Sequence, residues 1–92
     1  MHNTMVIGTY LATVGGLRGR VIAAIQNGMK EEYLTVLDRS DIEDTSVAYS
    51  THRIWWQEGD KDYPTGWIAE SGHYDMSREA ALANMLERAL GA

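Results

Sequence analysis

The sequence predicts an α+β domain: an antiparallel sheet of four to five strands with one C-terminal amphipathic helix packed on one face. Apolar residues Leu82, Met85, Leu86, Ala89 and Leu90 recur at helical spacing in the last third of the chain. Residues 47–57 and 66–70 alternate with the period of two that a strand requires. Asn27-Gly28, the dipeptide that a tight hairpin turn favours, stands between two β-favouring runs. At 92 residues the chain makes one domain, 1–92, without repeats or a linker.

Met5 to Val14 is poor in charge and carries Val6, Ile7, Thr9, Tyr10, Thr13 and Val14, which predicts the first strand. Gly15-Gly16 and Gly19 end it and place a loop or hairpin turn at 15–19. Arg20 to Gln26 has two readings. Val21, Ile22 and Ile25 favour a strand, whereas Ala23, Ala24 and Gln26 suit a helix ending at Gly28. The hairpin signal and the strand-like run Tyr33 to Leu37 favour the strand. Ser40-Asp41-Ile42-Glu43 has capping-box spacing, but Asp44-Thr45-Ser46-Val47 are poor helix formers, so at most a single turn starts there.

From Val47 to Gln57 one face carries Tyr49, Thr51, Arg53 and Trp55, and the other Ala48, Ser50, His52, Ile54 and Trp56. The Arg53-bearing face is expected outside, with Trp55 outward and Ile54 and Trp56 inward. Glu58 to Gly66, with its charges, glycines and single proline, is a loop. Gly66 to Glu70 is the last strand, with Trp67 as its core residue, and a turn then leads to the helix Arg78 to Leu90. Ser77 can cap that helix, Glu79 and Arg88 complement its dipole, and Gly91 can end it. Arg78, Glu79, Asn84, Glu87 and Arg88 fall mostly on the side away from the apolar stripe.

Composition narrows the function classes. Without cysteine there is no disulfide framework, no thiolate zinc site and no cysteine nucleophile. No basic segment with a long apolar run opens the chain, and no run reaches membrane-spanning length, which predicts a soluble, cytoplasmic protein with no membrane partner. The formal charge of −5 is uneven, +3 over residues 1–30 and −8 over residues 31–92. Such asymmetry fits either steering toward a basic partner or a solvated acidic face.

Chemistry-bearing clusters are sparse. His52, His73 and Asp75 are ligand types but match no zinc spacing. Glu58, Asp60 and Asp62 begin like a calcium loop, yet Tyr63 stands where glycine is needed and Ala69 where a bidentate glutamate belongs. Ser50-Thr51-His52 lacks a strained nucleophile elbow, and Gly15-Gly16-x-x-Gly19 lacks the Lys-Ser/Thr of a phosphate loop. The expectation is no cofactor, no metal and no enzyme; a small hydrolase would need His52 and His73 to converge beside a carboxylate.

The aromatics are more telling. Three Trp and five Tyr occur without Phe, so every ring carries a polar edge suited to a contact surface. Trp56 and Trp67 are expected in the core, and Tyr10 and Tyr33 are candidates for it. Arg53, Trp55 and Tyr63 are the expected partner anchors, and Glu58, Asp60 and Asp62 supply charge for a basic protein or nucleoprotein surface. A nucleic-acid contact through Arg18, Arg20, Arg53 and Trp55 is the alternative, against a sequence pI of about 5.

The short, acidic, cysteine-free chain with Trp and Tyr on its surface and no catalytic motif resembles small phage-borne anti-CRISPR inhibitors. That resemblance implies a phage or mobile-element protein that blocks a nucleic-acid-binding effector by occluding its basic surface. Gly66 to Glu70, then Ser77, Glu79-Ala80 and Asn84, are also similar to the strand–loop–helix of HicB-type antitoxins, although the Pro-Asp-Leu-Pro-Gly loop is missing and the helix spacing is off by one.

Overall fold

The computed structural model describes residues 5–26 and 32–91. They form a five-stranded antiparallel sheet in the order β1-β2-β3-β4-β5, in which neighbours along the chain are neighbours in space. The strands are β1 (Tyr10–Ala12), β2 (Arg18–Gln26), β3 (Glu32–Asp38), β4 (Tyr49–Gln57) and β5 (Gly66–Met76), and α1 (Arg78–Gly91) follows. The sheet curls until its edges touch: Thr13 bridges Trp67 in parallel, and Val14 N donates to Trp67 O at 2.9 Å.

Both faces are covered. Leu11, Val21, Leu37 and Ile54 fill the inside of the curl with Met5, and Tyr33, Trp67 and Ala69 pack against them. On the outside, Leu34 and Val36 meet Ala81 and Met85 of α1, flanked by Ile22, Tyr49 and Leu82. This double cover explains why four consecutive residues of β3, Leu34 to Leu37, are buried.

Several expectations are corrected. The first strand shrinks to Tyr10–Ala12, and Tyr10 is 44% exposed, not in the core. Residues 20–26 are strand, registered from Arg20–Asp38 to Gln26–Tyr33; the Asn27-Gly28 turn lies outside the described residues. A single turn does start at Ser40, where the amides of Ile42 and Glu43 donate to Arg39 O at 3.0 and 2.9 Å, and a separate 3-10 turn, Thr45–Val47, follows before β4. Asp44 Oδ1 accepts from the Ser46 amide and hydroxyl at 2.9 and 2.6 Å, which also holds its pKa below the ordinary value.

β5 does not end at Glu70. Two β-bulges, with Ser71 (φ 55°) and Asp75 (φ 58°) in the left-handed region, carry it through the expected turn to Met76. Ser77 Oγ then accepts from Ala80 N at 3.2 Å as the cap of α1.

The helix is rotated from the expected stripe. Ala81 and Met85 are buried, whereas Leu86 and Leu90 are 52% and 87% exposed. Asn84 and Arg88, expected outward, face the sheet: Thr51 Oγ1 donates to Asn84 Oδ1 at 2.6 Å, and Arg88 Nη1 donates to Thr51 Oγ1 at 3.1 Å. The cause is the sheet surface. Thr51 is 1% exposed and must be hydrogen-bonded, and the small Ala81 lets the helix approach closely. The Arg53-bearing face is therefore not a free outer face, because its Tyr49–Thr51 end lies under α1. Asn84→Ala is expected to cost about 1–2 kcal/mol by taking away the acceptor of the Thr51 O–H, whose oxygen keeps the Arg88 hydrogen bond, and Leu86→Ala under about 0.5 kcal/mol; urea denaturation of both variants checks this.

Candidate functional site

The β4–β5 loop is built by its own acids. Asp60 Oδ1 accepts from the amides of Asp62 and Tyr63 at 2.7 and 3.1 Å, forming an Asx turn. Asp60 N donates to Tyr63 O at 2.9 Å, Gly59 N to Thr65 Oγ1 at 2.8 Å, and Gln57 Nε2 to Pro64 O at 2.8 Å. Glu58 Oε1 accepts from Trp56 Nε1 at 3.1 Å. The backbone folds so tightly that a Cβ at Gly59 would collide with Thr65 N and Tyr63 O. Tyr63 stands out of this frame at 63% exposure. Glu58, Asp60 and Asp62 form no salt bridge with another described residue, so the loop, with only Lys61 in opposition, keeps its negative charge.

Trp55 lies at the same end of the molecule, half-buried on the outer face in register with Glu32 and Ile68. It is not among the residues packed on the helix-side core. Trp56 is on the inner face, half-buried, with its ring edge-on to Trp67 at 5.3 Å. Arg53 joins three strands: its guanidinium lies 2.8 Å from Glu32 of β3 and 3.4 Å from Glu70 of β5. The Glu32 hydrogen bond and charge reinforce its charged form. Arg53, named as a partner anchor from the sequence, is thus also an internally paired brace beside Trp55.

The other two arginines lie elsewhere. Arg20 Nη1 donates to Gly8 O at 2.7 Å, and its guanidinium carbon is 6.0 Å from the Tyr10 ring centroid. The Tyr10 hydroxyl donates to Asp41 Oδ2 at 2.8 Å, which raises its pKa. Arg18 is exposed on β2. Strand register places Arg20 roughly 15–20 Å from Arg53, two strands over and several residues along. The predicted basic patch is not assembled, and acids flank both of its halves.

Sequence reasoning missed a buried polar cluster on the inner face. His52 Nε2 lies 2.8 Å from Ser50 Oγ, with the two side chains 1% and 0% exposed. Burial, then the positive charges of Arg39, Arg88 and His73, lowers the His52 pKa to about 4, so the ring is neutral at pH 7. The Tyr74 ring meets His52 edge-on at 5.1 Å, and Arg39 lies over Tyr74 at 5.3 Å. The extra residues of both β5 bulges oppose His52 and Ser50. Gly72 is required there, since a Cβ would come within 2.9 Å of the imidazole. Ser50 and His52 occur two apart on one strand, so their shared face was legible in the spacing.

A serine–histidine contact of this length can activate a nucleophile, but neither group here is open to a carbonyl substrate. His73 is registered with Thr51 on the opposite face from His52, so the two histidines do not converge. Among the described residues no group of three or more His, Cys, Asp or Glu side chains could hold a metal ion. No described helix is long and apolar enough to cross a membrane. Comparison with protein-family models, curated proteins and solved structures finds no match for this chain.

Proposed function

We propose that this chain is a non-enzymatic binding protein that occludes a basic surface of another macromolecule, in the manner of an inhibitor of a nucleic-acid-binding effector. The observation that carries this reading is the β4–β5 loop: its acids fix its own backbone, and it presents Tyr63 beside carboxylates that form no salt bridge with another described residue. A loop held in one shape before contact loses little entropy on binding. An aromatic with a polar edge supplies the buried anchor, while Asp62 and the remaining acids steer encounter. Trp55 extends the same end of the surface.

A two-variant kinetic experiment tests the reading on a partner purified from the host's soluble proteins. Trp55→Ala should weaken binding at least about thirtyfold, the effect of a 2 kcal/mol anchor. Asp62→Lys, which leaves the Asp60 turn in place, should slow association about threefold at low salt and less at high salt. Unchanged kinetics in both variants would reject this surface. Tight binding of single-stranded DNA with a steep salt dependence would instead favour direct nucleic-acid recognition.

A further inference from the structure

We propose that the cleft between β5 and the β1–β2 turn is a second binding site, which takes a short extended peptide bearing lysine or arginine as an added strand. The two edges of the curled sheet meet at Thr13 and Trp67 and then part. Beyond that bridge lies an open cleft of about 490 Å³, walled by residues 13–17 on one side and by β5 from Ile68 to Tyr74 on the other. Among the described residues no backbone hydrogen bond reaches the outer edge of Ile68–Glu70. An unpaired strand edge facing a gap takes another extended backbone.

The strand itself sets the length of that segment. On β5 the regular stretch ends after Glu70, because left-handed Ser71 begins the first bulge, which leaves Ile68–Glu70 to pair. The bulges also blunt the rest of the edge against a second copy of this chain, which would pair along its whole length. A short foreign segment fits where self-association does not.

Charge sets its chemistry. Among the described residues that line the cleft, Glu70 is the one Asp, Glu, Lys or Arg, and its side chain is 46% exposed. It shares Arg53 with Glu32, so the three groups together keep one negative charge. A cationic side chain opposite Glu70 completes that balance. Beyond Glu70 the His52 and Tyr74 rings close on Gly72, so no side chain of the added strand enters there. The β4–β5 loop takes no part in this site.

The test is an NMR titration of the ¹⁵N-labelled protein with the acetylated, amidated peptide Val-Lys-Val-Lys-Val. Saturable shifts confined to residues 13–17 and 68–74 are expected, with affinity about tenfold above that of Val-Glu-Val-Glu-Val. N-methylation of the central peptide amides should abolish binding, and Glu70→Gln should weaken the lysine peptide roughly threefold. Shifts scattered over the acidic surface, equal affinity for the glutamate peptide, or indifference to N-methylation would overturn the proposal. A concentration-dependent dimer through β5, seen by sedimentation, would overturn it as well.

Discussion

Ile54→Ala is expected to lower the unfolding free energy by about 3–4 kcal/mol, near the upper half of the range for isoleucine truncation in a core. Ile54 is 0% exposed and sits on the inner face of β4, between Tyr33 of β3 and Ala69 of β5. Strands hydrogen-bonded on both sides hold the backbone, so the cavity cannot close by a shift of β4. A domain of this size has total stability on the order of 5–14 kcal/mol. The substitution therefore removes a large share of it. Urea denaturation should show a lower midpoint with an unchanged slope; a loss under about 1 kcal/mol would mean that the inside of the curl is not the main core.

Acidification is expected to weaken the fold through His52. Its folded pKa of about 4 lies below its ordinary 6.5, so the unfolded chain takes up the proton first. Its contribution is intact above pH 6.5 and is lost as the pH falls through 4, reaching on the order of 3 kcal/mol. The cause is geometric: a charged imidazole would be buried against Ser50 and Tyr74, repelled by Arg39, Arg88 and His73, with no carboxylate hydrogen-bonded to it among the described residues. Carboxylates that titrate in the same range add their own loss, so the comparison is with His52→Gln. The wild-type chain should lose about 2–3 kcal/mol more than the variant between pH 7 and pH 4. Equal losses would show that His52 has the same pKa in the folded and the unfolded chain.

The sheet was legible because its signals are local. Alternation placed Ile54 inside, and Trp67 packs against the inner core as its strand pattern predicts. The helix cap at Ser77 was readable from spacing alone. What failed depended on partners distant in sequence. Leu86 and Leu90 outrank Ala81 in hydrophobicity, yet the helix turns Ala81 and Asn84 inward because Thr51 needs a hydrogen bond and the sheet leaves little space.

Ser71-Gly72 has turn composition, and no local rule separates a turn from a bulge inside a continuing strand. At the loop, the spacing Asp60-x-Asp62 allowed an Asx turn, but its carboxylates were read as charge for a partner before their use by the loop itself was visible. The pairing of Arg53 was hidden for the same reason, since Glu32 and Glu70 lie on neighbouring strands.

Photo-crosslinking from the loop tip tests the proposed function most directly. With p-benzoylphenylalanine in place of Tyr63, irradiation in host lysate should give one dominant adduct, to a protein with a basic nucleic-acid-binding surface. The same probe in place of Leu86, exposed on α1, should not give it. The Tyr63 adduct should also weaken when Asp62, which does not hold the loop's Asx turn, is changed to lysine. An equal adduct from Leu86, or one at Tyr63 that the charge reversal leaves unchanged, would contradict the assignment of this loop as the binding surface.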